Sequence, residues 1–315
     1  MNRTKFFLSK QSWIWPYIGS LLIYVVISFL SEGGFNLKTL FLNMTLATFA
    51  FLLGVSEMLV ITSGDGAIDM SVPYTVTLCA YISAAWLREG SVLAGILLII
   101  AICVAVGLLN GVINVYFQVP AMIGTLAVGY ILYTVVLEYS SNATVQPAPA
   151  LTRFARIQVG GFSMLTVICI VFAVFMYFVM YRTKFGKELH ATGQGHHIAY
   201  LAGINVRAIL IPVFIASSLI AGATGILLGA YMNGSFQSMG DAYQMPAIAA
   251  ALVGGTLVSG GKSSVIGTFG GVVMLTLLGT LITITRLSAG WRDIIQGAVI
   301  VLILAAAADP TAKRS

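Results

Sequence analysis

Charge is the scarcest property of this chain: only 8% of its residues are charged, 16 Lys or Arg and 10 Asp or Glu in 315. Soluble domains carry about 25%, so a soluble globular fold is excluded. The net charge of +6 does not point to nucleic acid, because the cations form no basic stripe and are not interleaved with an aromatic platform. Cysteine is equally sparse. Cys79, Cys103 and Cys169 lie inside apolar runs with no C-x-x-C or paired spacing, which excludes a disulfide framework and a cysteine metal site and leaves them as packing residues. No Ser-His-Asp, H-E-x-x-H or paired catalytic carboxylate pattern can be read, so neither a catalytic nor a metal site is assigned. Gly261-Lys262-Ser263 has the ending of a phosphate-binding loop, but the glycine required five positions before Gly261 is Thr256. There is no Walker A motif, and any ATP has to be bound by another chain.

What the chain has in abundance is apolar length. With 59% hydrophobic residues and a mean hydropathy of +0.98, it reads as an all-α, polytopic membrane bundle. A spanning helix needs about 20 apolar residues. Ten segments can be placed, at roughly 13–31, 38–62, 69–87, 91–117, 119–139, 161–181, 208–232, 243–262, 265–285 and 292–308. The segments near 69 and 243 each begin in a Gly-, Asp- or Pro-containing stretch, and a broken or re-entrant helix is the alternative there. Arg3, Lys5 and Lys10 precede an apolar run from Trp13 to Leu30 that SEGG follows without an A-x-A site, so the first helix is expected to remain uncleaved.

The orientation follows from residues 182–207, a polar stretch of 26 residues with Arg182, Lys184, Lys187 and Arg207. The positive-inside rule puts it in the cytoplasm together with both termini. Ten cations then lie inside, against six (Lys38, Arg88, Arg153, Arg156, Arg286 and Arg292) outside or at outer helix ends. Within the stretch, His196 to Ala202 reads as a short helix between the Gly193 and Gly195 breakers and Gly203. Ile198, Leu201 and Ala202 share one face. A two-turn helix is unstable alone in water, so that face rests either on the protein's own membrane ends or on a cytoplasmic partner. His190, His196 and His197 read as exposed polar residues of this loop.

The outward loop at 140–160, with Pro147 and Pro149, divides one transmembrane domain into halves of about 1–145 and 155–315. Five spans per half implies an inverted repeat. Gly64-Asp65 before Met70-Ser71-Val72-Pro73 is echoed by Gly240-Asp241 before Met245-Pro246. GxxxG pairs at Gly107/Gly111, Gly225/Gly229 and Gly267/Gly271 predict closely approaching helices.

Polar residues in or near spans are the candidates for a solute pathway: Glu57, Asp65, Asp69, Ser71, Asn110, Asn114 and Gln244. A carboxylate inside a bilayer is costly, so Glu57 has to face the bundle interior, pair or be protonated. Residues 64–66 also read as a turn and Asp69 as the N-cap of a helix beginning at Met70. The asparagines and glutamines equally suit interhelical hydrogen bonds, and both readings stay open.

GAIDMSV at 66–72, VPAMIGTLAVGYIL at 119–132, TKFGKELHATGQGHHIAYLAGINV at 183–206 and AIAAALVGGTLVSGGKSSVIGTFGG at 247–271 together resemble the ribose-type sugar permeases of bacterial ABC importers. The resemblance implies an inner-membrane subunit that moves a sugar or sugar-like solute by alternating access. It implies a second permease, identical or related, and an extracytoplasmic solute-binding protein. It also implies a cytoplasmic ATPase that holds ATP and Mg while this chain binds no cofactor. The coupling segment to the ATPase falls on His196, His197, Ile198, Tyr200, Leu201, Ala202, Gly203, Ile204 and Asn205. The family's compact Gly-Gly-Ile-Asp-Leu-Ser-Val-Gly is expanded here to Gly64-Asp65-Gly66-Ala67-Ile68-Asp69-Met70-Ser71-Val72-Pro73. Nucleosides and branched-chain amino acids are alternative solutes within the same superfamily. In a different class, a proton-coupled secondary transporter would use Glu57, Asp65 or Asp69 as a relay.

Overall fold

In lipid a backbone can satisfy its polar groups only internally, so long apolar runs have to be helical. A computed structural model of the chain describes residues 12–30, 37–89, 91–141 and 146–284, with a few single residues or pairs between 290 and 301. Twelve α-helices occur among the described residues. After a 3₁₀ turn at Ser12–Ile14 come α1 (Trp15–Leu30), α2 (Leu37–Thr62), α3 (Val72–Glu89), α4 (Val92–Val115), α5 (Ala121–Ser140) and α6 (Pro149–Arg156). A two-residue-per-strand hairpin, Gln158–Val159 with Phe162–Ser163, leads to α7 (Met164–Arg182), α8 (Lys184–Gln194), α9 (His196–Leu201), α10 (Val206–Met232), α11 (Asp241–Val253) and α12 (Val265–Ile284).

Six helices, α2 (from Thr39), α4, α5, α7, α10 and α12, are long and apolar enough to cross a membrane, and α1 is a shorter apolar helix. The last expected span, 292–308, lies largely outside the described residues. At 18 residues α3 has sufficient length, but it carries the buried Thr75, Thr77 and Ser83, a composition suited to protein surroundings rather than lipid.

Two expectations need correction. The segment placed at 243–262 is helical only over Asp241–Val253, 13 residues, or about 20 Å, too short to span. The chain from 254 to 264 is irregular, with Gly255, Gly260 and Gly261 at φ 96°, 88° and 72°. Likewise α3 begins at Val72 rather than Met70. Residues 63–71 are a non-helical break that opens with Gly64, Asp65 and Gly66 all at positive φ, the left-handed region that glycine and aspartate enter most readily. The membrane bundle therefore contains two interruptions, after α2 and after α11. The polar loop also holds an extra helix, α8, and the loop at 140–160 holds α6 and the first strand of the hairpin, whose second strand ends at Ser163.

The helix α2 forms the centre of the bundle, packed by α10, α11, α12 and α7. Its Phe51 meets Phe172 and Phe269 edge-on. The glycine pairs act where the pattern places them. Gly107 and Gly111 of α4 lie against Ile215 and Ile211 of α10, Gly225 of α10 against Val76 of α3, and Gly267 and Gly271 of α12 against Gly254 and Ala250. Side chains there would hold the backbones apart and forfeit the van der Waals contact on which helix association in lipid depends. Cys79 and Cys103, unrelated in sequence spacing, meet across α3 and α4 with Sγ atoms 3.7 Å apart, both as buried free thiols.

Candidate functional site

The first break carries Asp69 back inside the bundle, opposite Glu57 one and a half turns before the end of α2. Both are 0% exposed. The Asp69 backbone N–H donates to Glu57 Oε2 at 3.2 Å, and Gln244 Nε2 of α11 donates to Glu57 Oε1 at 3.1 Å. Asp69 Oδ1 accepts from the Ser71 backbone N–H (3.1 Å), Ser71 Oγ (2.6 Å) and Asn110 Nδ2 of α4 (3.4 Å). Asp69 Oδ2 accepts from Ser217 Oγ of α10 at 2.7 Å. Asn110 Nδ2 also reaches Ser71 Oγ at 2.8 Å, and Ser217 Oγ meets Ser56 Oγ at 2.8 Å. Asp69 thus caps the turn leading into α3, where the helix N-terminus favours negative charge. Above it, Thr125 of α5 accepts from the Met70 backbone N–H at 2.9 Å.

Five of the seven pathway candidates, Glu57, Asp69, Ser71, Asn110 and Gln244, are brought into this one intramembrane cluster from four stretches of chain. Asp65 and Asn114 are not. They line a separate cavity of about 1220 Å³ at the α9 end of the bundle, together with Gln118, His196, His197 and Arg207. Asn114 is one turn beyond Asn110 and donates to the Val119 carbonyl at 3.1 Å. Ser56, Thr125 and Ser217 complete the cluster, and no sequence pattern marked them. Serine and threonine in apolar helices commonly satisfy themselves on the preceding turn.

At the α9 end, Ala199 is buried (3% exposed), while Ile198 and Leu201 are 70% and 71% exposed and Tyr200 and Ala202 lie open beside them. Of the two readings of this face, packing on the chain's own membrane ends does not occur among the described residues. Gly203 (φ 84°) turns the chain out of the helix, and Asn205 caps α10 by accepting from the Ala208 N–H at 3.2 Å. His196 points inward: Nε2 lies 2.8 Å from the Ser63 carbonyl oxygen and Nδ1 3.1 Å from Asp65 Oδ2. His190 is half-buried rather than exposed. Its ring stacks on Tyr181, with Nδ1 2.7 Å from the Gly186 carbonyl and Nε2 3.2 Å from Ser263 Oγ.

Between α9 and the intramembrane cluster, three backbones meet without side chains. Gly193 at the end of α8 lies on Thr62 and Gly261, Gly260 lies on Gly64, and the Gly261 N–H donates to the Thr62 carbonyl at 3.0 Å. A Cβ at Gly193 would run into the Thr62 oxygen and the Gly261 nitrogen. The Ser259-Gly260-Gly261 block is therefore a joint that ties the segment before α9 to both interruptions at once. The start of α11 also meets the start of α3 inside the bundle. Gly240, just before α11, packs on Pro73 and donates to Thr77 Oγ1 at 3.2 Å.

The geometry is thus a bundle broken at two places, with a short helix, open on one face among the described residues, joined to both breaks. A family model described as "Branched-chain amino acid transport system / permease component" matches residues 39–304. The chain belongs to this family, and it is a transport subunit rather than an enzyme. Among its relatives is the ribose import permease protein RbsC of Escherichia coli K12, 28% identical over 306 residues, covering 95% of this chain and 94% of the relative. The autoinducer 2 import system permease protein LsrC of Escherichia coli O157:H7 is 26% identical over 300 residues, covering 95% and 87%. Its Salmonella typhi counterpart is 26% identical over 284 residues, covering 90% and 81%. The likeness to ribose-type permeases carried by the motifs is thereby borne out. No solved structure matches the chain.

Proposed function

We propose that this chain is the transmembrane permease of a bacterial ABC importer for a sugar or sugar-like solute, driven by a separate ATPase that docks on α9. The observation that carries the reading is the face of α9, where Ile198 and Leu201 stand in water on a helix too short to hold itself. Exposed apolar residues on a rigidly joined element suit a partner groove. ATP and Mg belong on that partner, and this chain binds no cofactor. The sugar-like solute is favoured because relatives aligned over nearly the whole chain carry ribose and autoinducer 2 in their names.

The finer topology belongs to the same reading. With α8 and α9 in the cytoplasm, both termini are cytoplasmic, and about ten spans form one domain in the inner membrane, α11 crossing together with the irregular chain that flanks it. Its halves, about 1–145 and 155–315, are an inverted repeat whose paired signatures, Gly64 to Pro73 and Gly240 to Pro246, meet where Gly240 packs on Pro73. A second permease, copy or relative, completes the path, and an extracytoplasmic binding protein delivers the solute. On closing, the ATPase pushes α9. The glycine joint passes the displacement to residues 63–71 and 254–264, and the polar cluster at Asp69 opens or closes with them.

Co-expression with the adjoining gene products, followed by purification and an ATPase assay with and without the binding protein, tests this. A stable complex whose hydrolysis is stimulated by the loaded binding protein is expected. A chain that purifies alone and moves solute down a proton gradient would overturn it.

A further inference from the structure

The intramembrane cluster is short of positive charge. Glu57 and Asp69 bring two carboxylates into full burial, and every donor that reaches them is neutral: the Gln244 and Asn110 amides, the Ser71 and Ser217 hydroxyls, and the Asp69 and Ser71 backbone N–H groups. Among the described residues no Lys, Arg or His pairs with either carboxylate; the ion pairs found, Lys184 with Glu188 and His196 with Asp65, lie at the α9 end. The elements packed around the pair present Ser56 from α2, Asn110 from α4, Thr125 from α5, Ser217 from α10 and Gln244 from α11, none of them charged. The N-terminus of α3 compensates one negative charge, that of Asp69, whose Oδ1 takes the Ser71 N–H. Among the described residues no cation compensates Glu57, which takes only the Asp69 N–H and the Gln244 amide.

The cluster is also short of donors. Asn110 and Gln244 are 1% and 5% exposed, and each uses its amide nitrogen on a carboxylate while its oxygen, Asn110 Oδ1 or Gln244 Oε1, has no partner. A buried acceptor left unpaired is costly, and a second ionised carboxylate in such surroundings is more so. One species answers both deficits. An anion or a further acceptor would deepen them, and a neutral hydroxyl would supply a donor and leave the charge.

We propose that the cluster of Glu57, Asp69, Asn110, Ser217 and Gln244 binds one monovalent cation, H⁺ or Na⁺, and that occupancy holds the break at 63–71 against α2 and α11. The acceptors on offer, carboxylates, amide carbonyls and hydroxyls, are all oxygens, which suit a hard cation. They come from the first break and from α2, α4, α10 and α11, so losing the cation frees Asp69 and Gln244 from each other. The inference goes beyond ATP-driven transport and does not depend on it, since its test involves no ATPase.

The experiment measures the melting temperature of the purified full chain in nanodiscs of zwitterionic lipid, for wild type and Glu57→Gln. In one series NaCl replaces choline chloride at constant ionic strength and pH. In the other, pH runs from about 5 to 9 at constant sodium, a window that covers ordinary and strongly displaced carboxyl titration. If Na⁺ is bound, the wild type gains about 2–4 °C as sodium rises, and Glu57→Gln does not respond. If H⁺ is bound, sodium has no effect, and the wild type loses a similar amount as pH rises because the proton-bound native state is the one stabilised; the variant is flat. Should Glu57→Gln fail to fold, the wild type alone decides through radiolabelled sodium binding and an infrared band of a protonated carboxyl. Parallel responses of the two proteins in both series, or a wild type with neither bound sodium nor a carboxylic acid band, would overturn the proposal.

Discussion

The intramembrane cluster and the face of α9 are inverted images of each other. One gathers two carboxylates, two amides and several hydroxyls where the surroundings are apolar; the other holds Ile198, Tyr200 and Leu201 in the open where the surroundings are water. Either arrangement costs stability on its own, since buried polar groups need partners and exposed apolar area gives up its burial energy. Their linkage makes the pair intelligible. The glycine joint at Gly193, Gly260 and Gly261 lies between them, so a helix with an exposed apolar face sits one rigid contact away from the place where the membrane helices are interrupted.

The sharpest way to break this comparison is to remove the grip. Ile198→Asp with Leu201→Asp changes only exposed side chains and should leave the chain folded, with an unchanged melting temperature and monodisperse elution. Losing two apolar anchors of about 2 kcal/mol each lowers partner affinity by about a thousandfold, enough to abolish co-purification of the ATPase and with it uptake. Undiminished co-purification would count against α9 as the docking helix. Next in size is Gly193→Val, which keeps the grip and breaks the joint. Its side chain has to displace the Thr62 and Gly261 backbones, at about 1–3 kcal/mol. The expected signature is a retained complex that hydrolyses ATP without moving solute. Normal uptake by this variant would mean that α9 reaches the breaks by another route. Gly225→Leu, which drives a side chain into Val76 of α3, is predicted to cost a similar 1–3 kcal/mol, roughly, and to lower folded yield while sparing ATPase docking in whatever fraction folds. A wild-type yield and uptake rate would remove the close-packing account of that GxxxG pair.

Much of this layout could be read from residues alone, for a physical reason. Lipid forces a long apolar run to be helical, and α1 to α5, α7, α10 and α12 begin and end within three residues of the spans drawn from hydropathy. The first break was legible because Gly64-Asp65-Gly66 interrupts that run with polar, left-handed-prone residues. The second was legible only as the broken-helix alternative for the segment near 243, read from the Gly-, Asp- and Pro-containing stretch that opens it, whereas the irregular chain follows Val253, where Gly255, Gly260 and Gly261 take positive φ. The extra helix α8 was missed because KFGKELHATGQ is short and carries two glycines. A period was nonetheless present, since Gly186, Leu189, Thr192 and Gly193 form its buried face and Thr183 accepts from the Gly186 N–H to cap it. In the cluster, the carboxylates and amides announced themselves as misplaced polarity, whereas Ser217, 148 positions from Asp69, could be added only by the fold.

The finest test of the comparison concerns His196, the residue that belongs to both regions. Its ring leaves α9 and reaches the Ser63 carbonyl and the Asp65 carboxylate, the first residues of the break that carries Asp69. Both partners are oxygens, the Ser63 carbonyl on one side of the ring and the Asp65 carboxylate on the other, so the imidazole is held between the two ends of the loop that opens the break. His196→Gln keeps one amide donor group and removes the fixed two-sided bridge. Asp65 is 79% exposed in its side chain, so the ion pair itself is worth only about 0–1 kcal/mol, and the melting temperature should hardly change. Uptake per ATP hydrolysed should nonetheless fall by a few fold, with ATPase binding intact, because the break no longer follows the helix at that point. His196→Ala should do the same more strongly, since it leaves the Ser63 carbonyl without a partner. If both variants transport with wild-type stoichiometry, the bridge only closes the wall of the cavity, and the backbone joint at Gly193 transmits the whole displacement.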